Sequence, residues 1–283
     1  MLWKLFIVIS ITFTATATLI ERVILKESES QPIAYAILFE FIIGLLFIVL
    51  TLITGRFALP KLQPLLGNIL LMIILYSISS VATFFALKEI EIGKYIIIFS
   101  LRSLFTLLGG TLWLHQGLSL IAFVGLLCIL GGIFIVSLTQ NKISMTKGDI
   151  FALIAGASFG LANVNDKFLL HSFNVLTYLS IGFIGPAVLL ALIFPKEIAH
   201  MKVFFTTKVF IKMTFLCIIY AISILFFFIA IQSGPNVSLV VSLSLLSVLL
   251  TVIFGIVFLK ERSELGKKLL GSMLSIIGLL LIG

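Results

Sequence analysis

Residues 76–138 read YSISSVATFFALKEIEIGKYIIIFSLRSLFTLLGGTLWLHQGLSLIAFVGLLCILGGIFIVSL, and residues 220–283 read YAISILFFFIAIQSGPNVSLVVSLSLLSVLLTVIFGIVFLKERSELGKKLLGSMLSIIGLLLIG. The two match in order. Tyr76 falls on Tyr220, Ser79 on Ser223, Phe84 on Phe228, Ala86 on Ala230, Ser100 on Ser244 and Ser103 on Ser247. With one inserted residue Trp113-Leu114-His115-Gln116 meets Phe258-Leu259-Lys260-Glu261, and with a second Gly125 meets Gly271 and Gly132 meets Gly278. Each copy reads as three apolar helices joined by short polar turns. Upstream, Glu21-Arg22-Val23-Ile24-Leu25 matches Asp166-Lys167-Phe168-Leu169-Leu170, so the repeat covers five helices per half. A weak internal repeat in a hydrophobic chain is the mark of a transporter-type fold.

Composition sets the solvent. Apolar residues make up 61% of the 283, charged residues 11%, and the mean hydropathy is +1.32. A soluble domain is about half apolar and about a quarter charged. Continuous apolar runs long enough to cross a hydrocarbon core of roughly 30 Å recur throughout, and their continuity excludes a β-barrel. The expectation is an all-α polytopic membrane protein with ten transmembrane helices in two inverted five-helix repeats. Residues 1–138 form the first repeat, 139–148 a short linker and 149–283 the second, in one membrane domain overall. The expected spans are 5–25, 33–54, 65–87, 95–113, 120–138, 149–170, 175–193, 213–231, 237–259 and 265–283. The first resembles a cleavable signal peptide at Ala15-Thr16-Ala17, but its counterpart in the second half favours a retained span. Pro186 after Gly185 predicts a kink in the seventh, and 195–212 reads as the longest, most basic loop.

The net charge of +8 does not signal a nucleic-acid partner, because the lysines are scattered in short loops beside apolar runs. With ten spans both termini share a side. Lys4, Arg56, Lys61 and Lys167 fall on that side and fourteen other Lys/Arg on the opposite one, so the positive-inside rule places both termini outside. Cys128 and Cys217 lie in spans without metal-ligand neighbours and read as packing residues.

Ala230-Ile231-Gln232, the turn at Gly234-Pro235, and Leu249 to Ser263 ending Phe258-Leu259-Lys260-Glu261-Arg262-Ser263 resemble the closing pattern of EamA-type members of the drug/metabolite transporter superfamily, as does the glycine-bearing last helix. The first half carries a weaker copy, with His115-Gln116 in place of the usual Gly-Glu. The resemblance covers nearly the whole chain through loose apolar motifs. It implies inverted halves, alternating access, a cavity lined by spans one, three, four, six, eight and nine, and cytoplasmic termini. That last implication opposes the charge count, and orientation stays open between them.

No enzyme constellation, phosphate-binding glycine loop or metal cluster is visible, and no cofactor is expected. Function must rest on polar groups forced into the bilayer. Arg102, near the middle of span four, reads as a ligand for a carboxylate or phosphate, or as half of a structural ion pair with Glu40 in span two. Glu40 and Glu21 are also the candidates for ion coupling. Glu21-Arg22 and Asp166-Lys167 read as snorkelling interface charges, with a gate or cation site at Glu21 or Asp166 as the alternative. Asn163, Tyr76, Tyr220, Ser100 and Ser244 complete the candidate substrate contacts, and the serines serve equally as helix-packing residues. Thr14 and Thr18, four apart, share a helical face. Glycines 125, 131, 132, 271 and 278 read as close-packing positions on spans five and ten.

The expected function is a secondary transporter of a small polar metabolite such as an amino acid or amine. Its expected partners are that small molecule and membrane lipids, its state a monomer or homodimer, and its place a bacterial inner membrane. A non-transporting scaffold and an intramembrane enzyme acting on lipid-linked substrates are the alternatives.

Overall fold

The computed structural model describes residues 2–27, 31–114, 120–139, 142–143, 145–233, 244, 246–260 and 264–282. The chain is helical almost throughout. In order come α1 (Leu2–Glu27), α2 (Pro32–Ile53), a 3-10 turn at Gln63–Leu65, α3 (Leu66–Glu89), α4 (Ile92–Phe99), α5 (Arg102–Leu114) and α6 (Leu120–Ser137). A two-residue antiparallel pair follows, β1 (Leu138–Thr139) with β2 (Lys142–Ile143). Then come α7 (Lys147–Leu170), α8 (Val175–Ile193), α9 (Glu197–His200), a 3-10 stretch at Met201–Phe205, α10 (Thr207–Ser233), α11 (Leu246–Phe258) and α12 (Leu265–Ile282). Among the described residues, five segments are long and apolar enough to cross a membrane: Trp3–Leu25, Pro32–Ile53, Gln63–Glu89, Val175–Ile193 and Val209–Ala230.

Local chemistry sets the starts. Pro32 opens α2, where its missing N–H costs nothing. Thr146 and Asp149 form a reciprocal capping box on α7, and the Asn174 side chain accepts the Thr177 N–H at 3.0 Å to begin α8. Four pairings then build the bundle: α3 packs on α7, α1 on α10, α2 on α8 and α6 on α12. In the last of these a Cβ on Gly132 would stand 2.6 Å from the Gly271 carbonyl oxygen, so this pair needs glycine for its close approach. Outward-facing Leu52, Ile53, Leu112, Leu192 and Phe258 are exposed. Such a belt suits lipid and would be a liability in water.

Polar turns gather at two ends. At one, Lys94 Nζ meets Asp149 Oδ2 at 2.8 Å, and Lys268 pairs with Glu91. At the other, the Asn174 side chain donates to the Arg56 carbonyl and the Ala58 N–H donates to Thr177 Oγ1 at 3.4 Å.

Two expectations need correction. Span four is not continuous: α4 ends at Phe99, and α5 begins at Arg102. The backbone crosses the break on short 3-10-type bonds, Leu101 N–H to Ile98 O and Ser103 N–H to Ser100 O. The cause is tertiary. A Cβ on Gly156 would lie 3.1 Å from Phe99 O, and one on Gly160 2.2 Å from Arg102 O, so α7 presses its glycine face directly on the break. Residues 195–212 are not a loop but α9, a 3-10 stretch and the first turns of α10, with Phe204 fully buried. The helix α8 continues through Pro186.

Candidate functional site

The helices enclose a cavity of about 130 Å³, some ten times the roughly 10–15 Å³ that one water needs. Thr14, Thr18 and Glu21 reach it from α1, and Phe39 and Glu40 from α2. Tyr76, Ser79, Ser80 and Thr83 reach it from α3. Tyr95 and Phe99 of α4 and Arg102 of α5 line it beside the helix break. From the other half of the chain come Phe159 and Asn163 of α7, Tyr178 and Phe183 of α8, Tyr220 and Phe228 of α10 and Ser247 of α11. The wall thus mixes aromatic rings with hydroxyl, amide and charged side chains, and convergent polar groups in an aromatic pocket suit a small-molecule site.

Arg102 is held by rings rather than by a carboxylate. Its guanidinium carbon lies 4.9 Å from the Phe99 ring centroid and 5.5 Å from that of Phe159, within cation–π range. A guanidinium has five N–H donors, and among the described residues none of them meets a protein acceptor. The ion pair expected with Glu40 is absent among the described residues: Glu40 Oε1 instead accepts from Ser80 Oγ at 2.5 Å. Glu40 sits on α2 and Arg102 at the start of α5, and each finds a nearer partner.

The snorkelling reading of Glu21, Arg22 and Asp166 is overturned. Glu21 is 4%, Arg22 2% and Asp166 5% exposed. The Arg22 guanidinium donates to the Leu87 carbonyl at the end of α3. Asp166 takes two tyrosine hydroxyls, Tyr178 on Oδ1 at 2.5 Å and Tyr76 on Oδ2 at 2.7 Å. The side chain of Lys167 lies outside the described residues. Glu21 faces the cavity, and among the described residues its carboxylate takes no hydrogen bond or ion pair.

Of the other candidates, Asn163, Tyr76 and Tyr220 line the cavity. Ser100 does not: it is 1% exposed and donates to Ile97 O at 2.6 Å in the last turn of α4. Ser244 is also buried and is not among the described lining residues. Thr14 Oγ1 lies 2.6 Å from Ser223 Oγ, tying α1 to α10 at the cavity rim. Ser242, His115, Gln116 and the Gly234-Pro235 turn lie outside the described residues. Tyr178, Tyr95 and Ser80 are lining groups that sequence reasoning passed over. Tyr95 and Tyr178 gave no signal among many aromatics, but the Gly156-x-x-x-Gly160 spacing that brings α7 against Arg102 was visible.

The model of the EamA-like transporter family matches residues 1–138 and again 146–283. The chain belongs to the EamA-like transporter family. This EamA-like chain is accordingly an integral, multi-pass membrane protein of a transporter family, and the cavity is the interior of that transporter-type bundle. Fifteen chains of solved structures match it. One, described as the crystal structure of protein, has a TM-score of 0.62 and 15% sequence identity, over 99% of this chain and 95% of that one. At that identity the likeness concerns the fold alone. No curated protein sequence matches.

Proposed function

We propose that this EamA-like protein is a secondary transporter that carries a small polar, anionic or zwitterionic metabolite across a bacterial plasma membrane by alternating access. The observation that carries the reading is the set of polar groups left unspent in the cavity. Among the described residues Arg102, Asn163, Tyr220 and Glu21 all line it without a protein hydrogen-bond partner. Buried polar groups are normally satisfied, and exceptions point to a missing partner. In this reading Arg102 takes a carboxylate or phosphate, Asn163 and the tyrosine hydroxyls orient the ligand, and Phe99 and Phe159 hold the guanidinium in place. Glu40 and Glu21 are the groups available for proton coupling.

Alternating access would come from two inverted five-helix halves, residues 1–138 and 149–283, rocking about the cavity. Matched hydrogen bonds support that symmetry. Ser79 Oγ donates to Ala155 O at 3.1 Å, and its repeat mate Ser223 donates to Ser10 O at 2.9 Å. Ser10 and Ala155 stand at equivalent places in the register that aligns Glu21 with Asp166. The pairings obey the same exchange, with α1 on α10 and α7 on α3.

The test is counterflow in proteoliposomes with labelled amino acids, sugar phosphates and amines. Saturable exchange of one class, lost in Arg102→Leu with folding intact, is the expected result. A well-folded protein that exchanges none of them, with Arg102→Leu and Asn163→Leu equally silent, would favour the scaffold instead.

A further inference from the structure

Asp166 and its two tyrosines have a counterpart in the opposite half. Asp166 of α7 is gripped by Tyr76 of α3 and Tyr178 of α8. In the repeat Glu21 of α1 stands where Asp166 does, and Tyr220 of α10 where Tyr76 does. Tyr178 is the fourth residue of α8, and Tyr35 is the fourth residue of α2. Each half therefore supplies one buried acid, with two tyrosines on the same two other helix types. Tyr220 lines the cavity with Glu21, and the Tyr35 ring packs on Phe84 at 4.6 Å as that of Tyr178 packs on its repeat mate Phe228 at 5.4 Å.

The two constellations differ in state. At Asp166 both hydroxyls are bonded. At Glu21 neither is: the Tyr35 hydroxyl is buried with no partner, and among the described residues the Tyr220 hydroxyl and the Glu21 carboxylate have none. They also sit at opposite ends of α3. Arg22, beside Glu21, bonds Leu87 O, and Asn165, beside Asp166, donates to Asn68 O at 2.7 Å. Those α3 carbonyls are nineteen residues apart in the sequence, or roughly 28 Å at 1.5 Å per residue. A buried hydroxyl without an acceptor is costly, so the Tyr35–Glu21–Tyr220 group is unsatisfied in this conformation and has an evident way to be satisfied in another.

We infer that Asp166–Tyr76–Tyr178 and Glu21–Tyr35–Tyr220 are a pair of acid–tyrosine clamps that close in alternation at the two ends of the cavity, the structure capturing the first closed and the second open. The inference rests on the alternating-access reading above. Closing the Glu21 clamp satisfies the orphaned Tyr35 hydroxyl and releases Asp166, so the two states exchange one set of hydrogen bonds for its mirror image. Neither state is then strongly preferred, as a carrier requires.

The experiment uses the full chain with Cys128 and Cys217 replaced by alanine and one reporter, Ile224→Cys, on the cavity wall. A membrane-impermeant maleimide is applied to either face of oriented vesicles, and the ratio of labelling rates is read. Tyr76→Phe with Tyr178→Phe removes only the two hydroxyls of the closed clamp. Tyr35→Phe with Tyr220→Phe removes those of the open one. The two pairs are expected to move the ratio in opposite directions, on the order of tenfold per hydroxyl bond lost. Thermal unfolding of the single variants gives a second readout: Tyr178→Phe lowers the midpoint, whereas Tyr35→Phe leaves it unchanged or raises it. Exchange of sides in the parent protein, with Tyr35→Phe/Tyr220→Phe indifferent or shifting the ratio in the same direction as the other pair, overturns the clamps and leaves alternating access standing. Labelling from one face only in every variant overturns both.

Discussion

Gly160→Ala is the most exacting test of how the site is built. The new methyl would stand 2.2 Å from the Arg102 carbonyl oxygen and 2.8 Å from Phe105 Cβ. The first is backbone, so no rotamer change relieves it. Reaching the 3.4 Å of ordinary contact requires α7 and the start of α5 to part by about an ångström. That strain is worth about 1–3 kcal/mol. It also pulls Thr106 Oγ1 off the Gly160 carbonyl, 3.0 Å away, for about 0.5–1.5 kcal/mol more. Alanine's better helix propensity returns about 1 kcal/mol. The net is a destabilisation of about 0.5–3.5 kcal/mol, or roughly 1–10 °C in the unfolding midpoint. Two controls make the series graded. Gly156→Ala meets Phe99 O at 3.1 Å and is expected to cost less, and Gly67→Ala meets nothing within 4 Å and is expected to be neutral or stabilising. Thermal unfolding of the purified protein in detergent reads all three. If Gly160→Ala is as stable as Gly67→Ala, α7 does not press on the break and the account of Arg102's position fails.

Other consequences follow from single contacts. Tyr178→Phe removes a 2.5 Å bond to Asp166 and is expected to cost about 1.5–3 kcal/mol in unfolding stability, as hydrogen bonds to charged groups do. Asp149→Ala removes the carboxylate half of the α7 capping box and the partner of Lys94, on a residue with no exposed surface. It is expected to destabilise by about 3–5 kcal/mol in the same assay, with Asp149→Asn recovering part of the cap. Gly132→Leu drives a side chain into the Gly271 carbonyl and Ser275, and loss of monodisperse folded protein on size exclusion is the expected outcome.

The bundle was largely legible because hydropathy accumulates over some twenty residues, and a run such as 32–53 cannot be mistaken. The break at Ser100–Leu101 was not. Ile97-Ile98-Phe99-Ser100-Leu101-Arg102 contains neither glycine nor proline, so nothing local interrupts the helix. The interruption is imposed by glycines sixty residues away on α7. Glu21 and Arg22 were misread for a related reason. Proximity to the end of an apolar run suggested an interface, yet α1 continues to Glu27 and packs Arg22 under the end of α3. The pairing of Arg102 with Glu40 followed from charge balance alone, and the structure answers with aromatic faces for one and a serine for the other. Arg102, Asn163, Tyr76 and Tyr220 were singled out because polar groups in apolar spans are costly, and all four line the cavity. Tyr35 and Tyr178 carry the same cost, but their meaning depends on what each hydroxyl touches, which no spacing encodes.

The central claim is that Arg102 and its unspent neighbours form a site for a small polar ligand. The direct measurement is a thermal-shift screen of the purified protein and of Arg102→Leu against amino acids, amines, nucleotide sugars and sugar phosphates. A ligand that binds only the folded state raises its apparent stability by mass action. The account predicts stabilisation by an anionic or zwitterionic class, lost in Arg102→Leu while the variant itself stays folded. A ligand that stabilises wild type and Arg102→Leu equally, or a stable protein indifferent to every class, would contradict it.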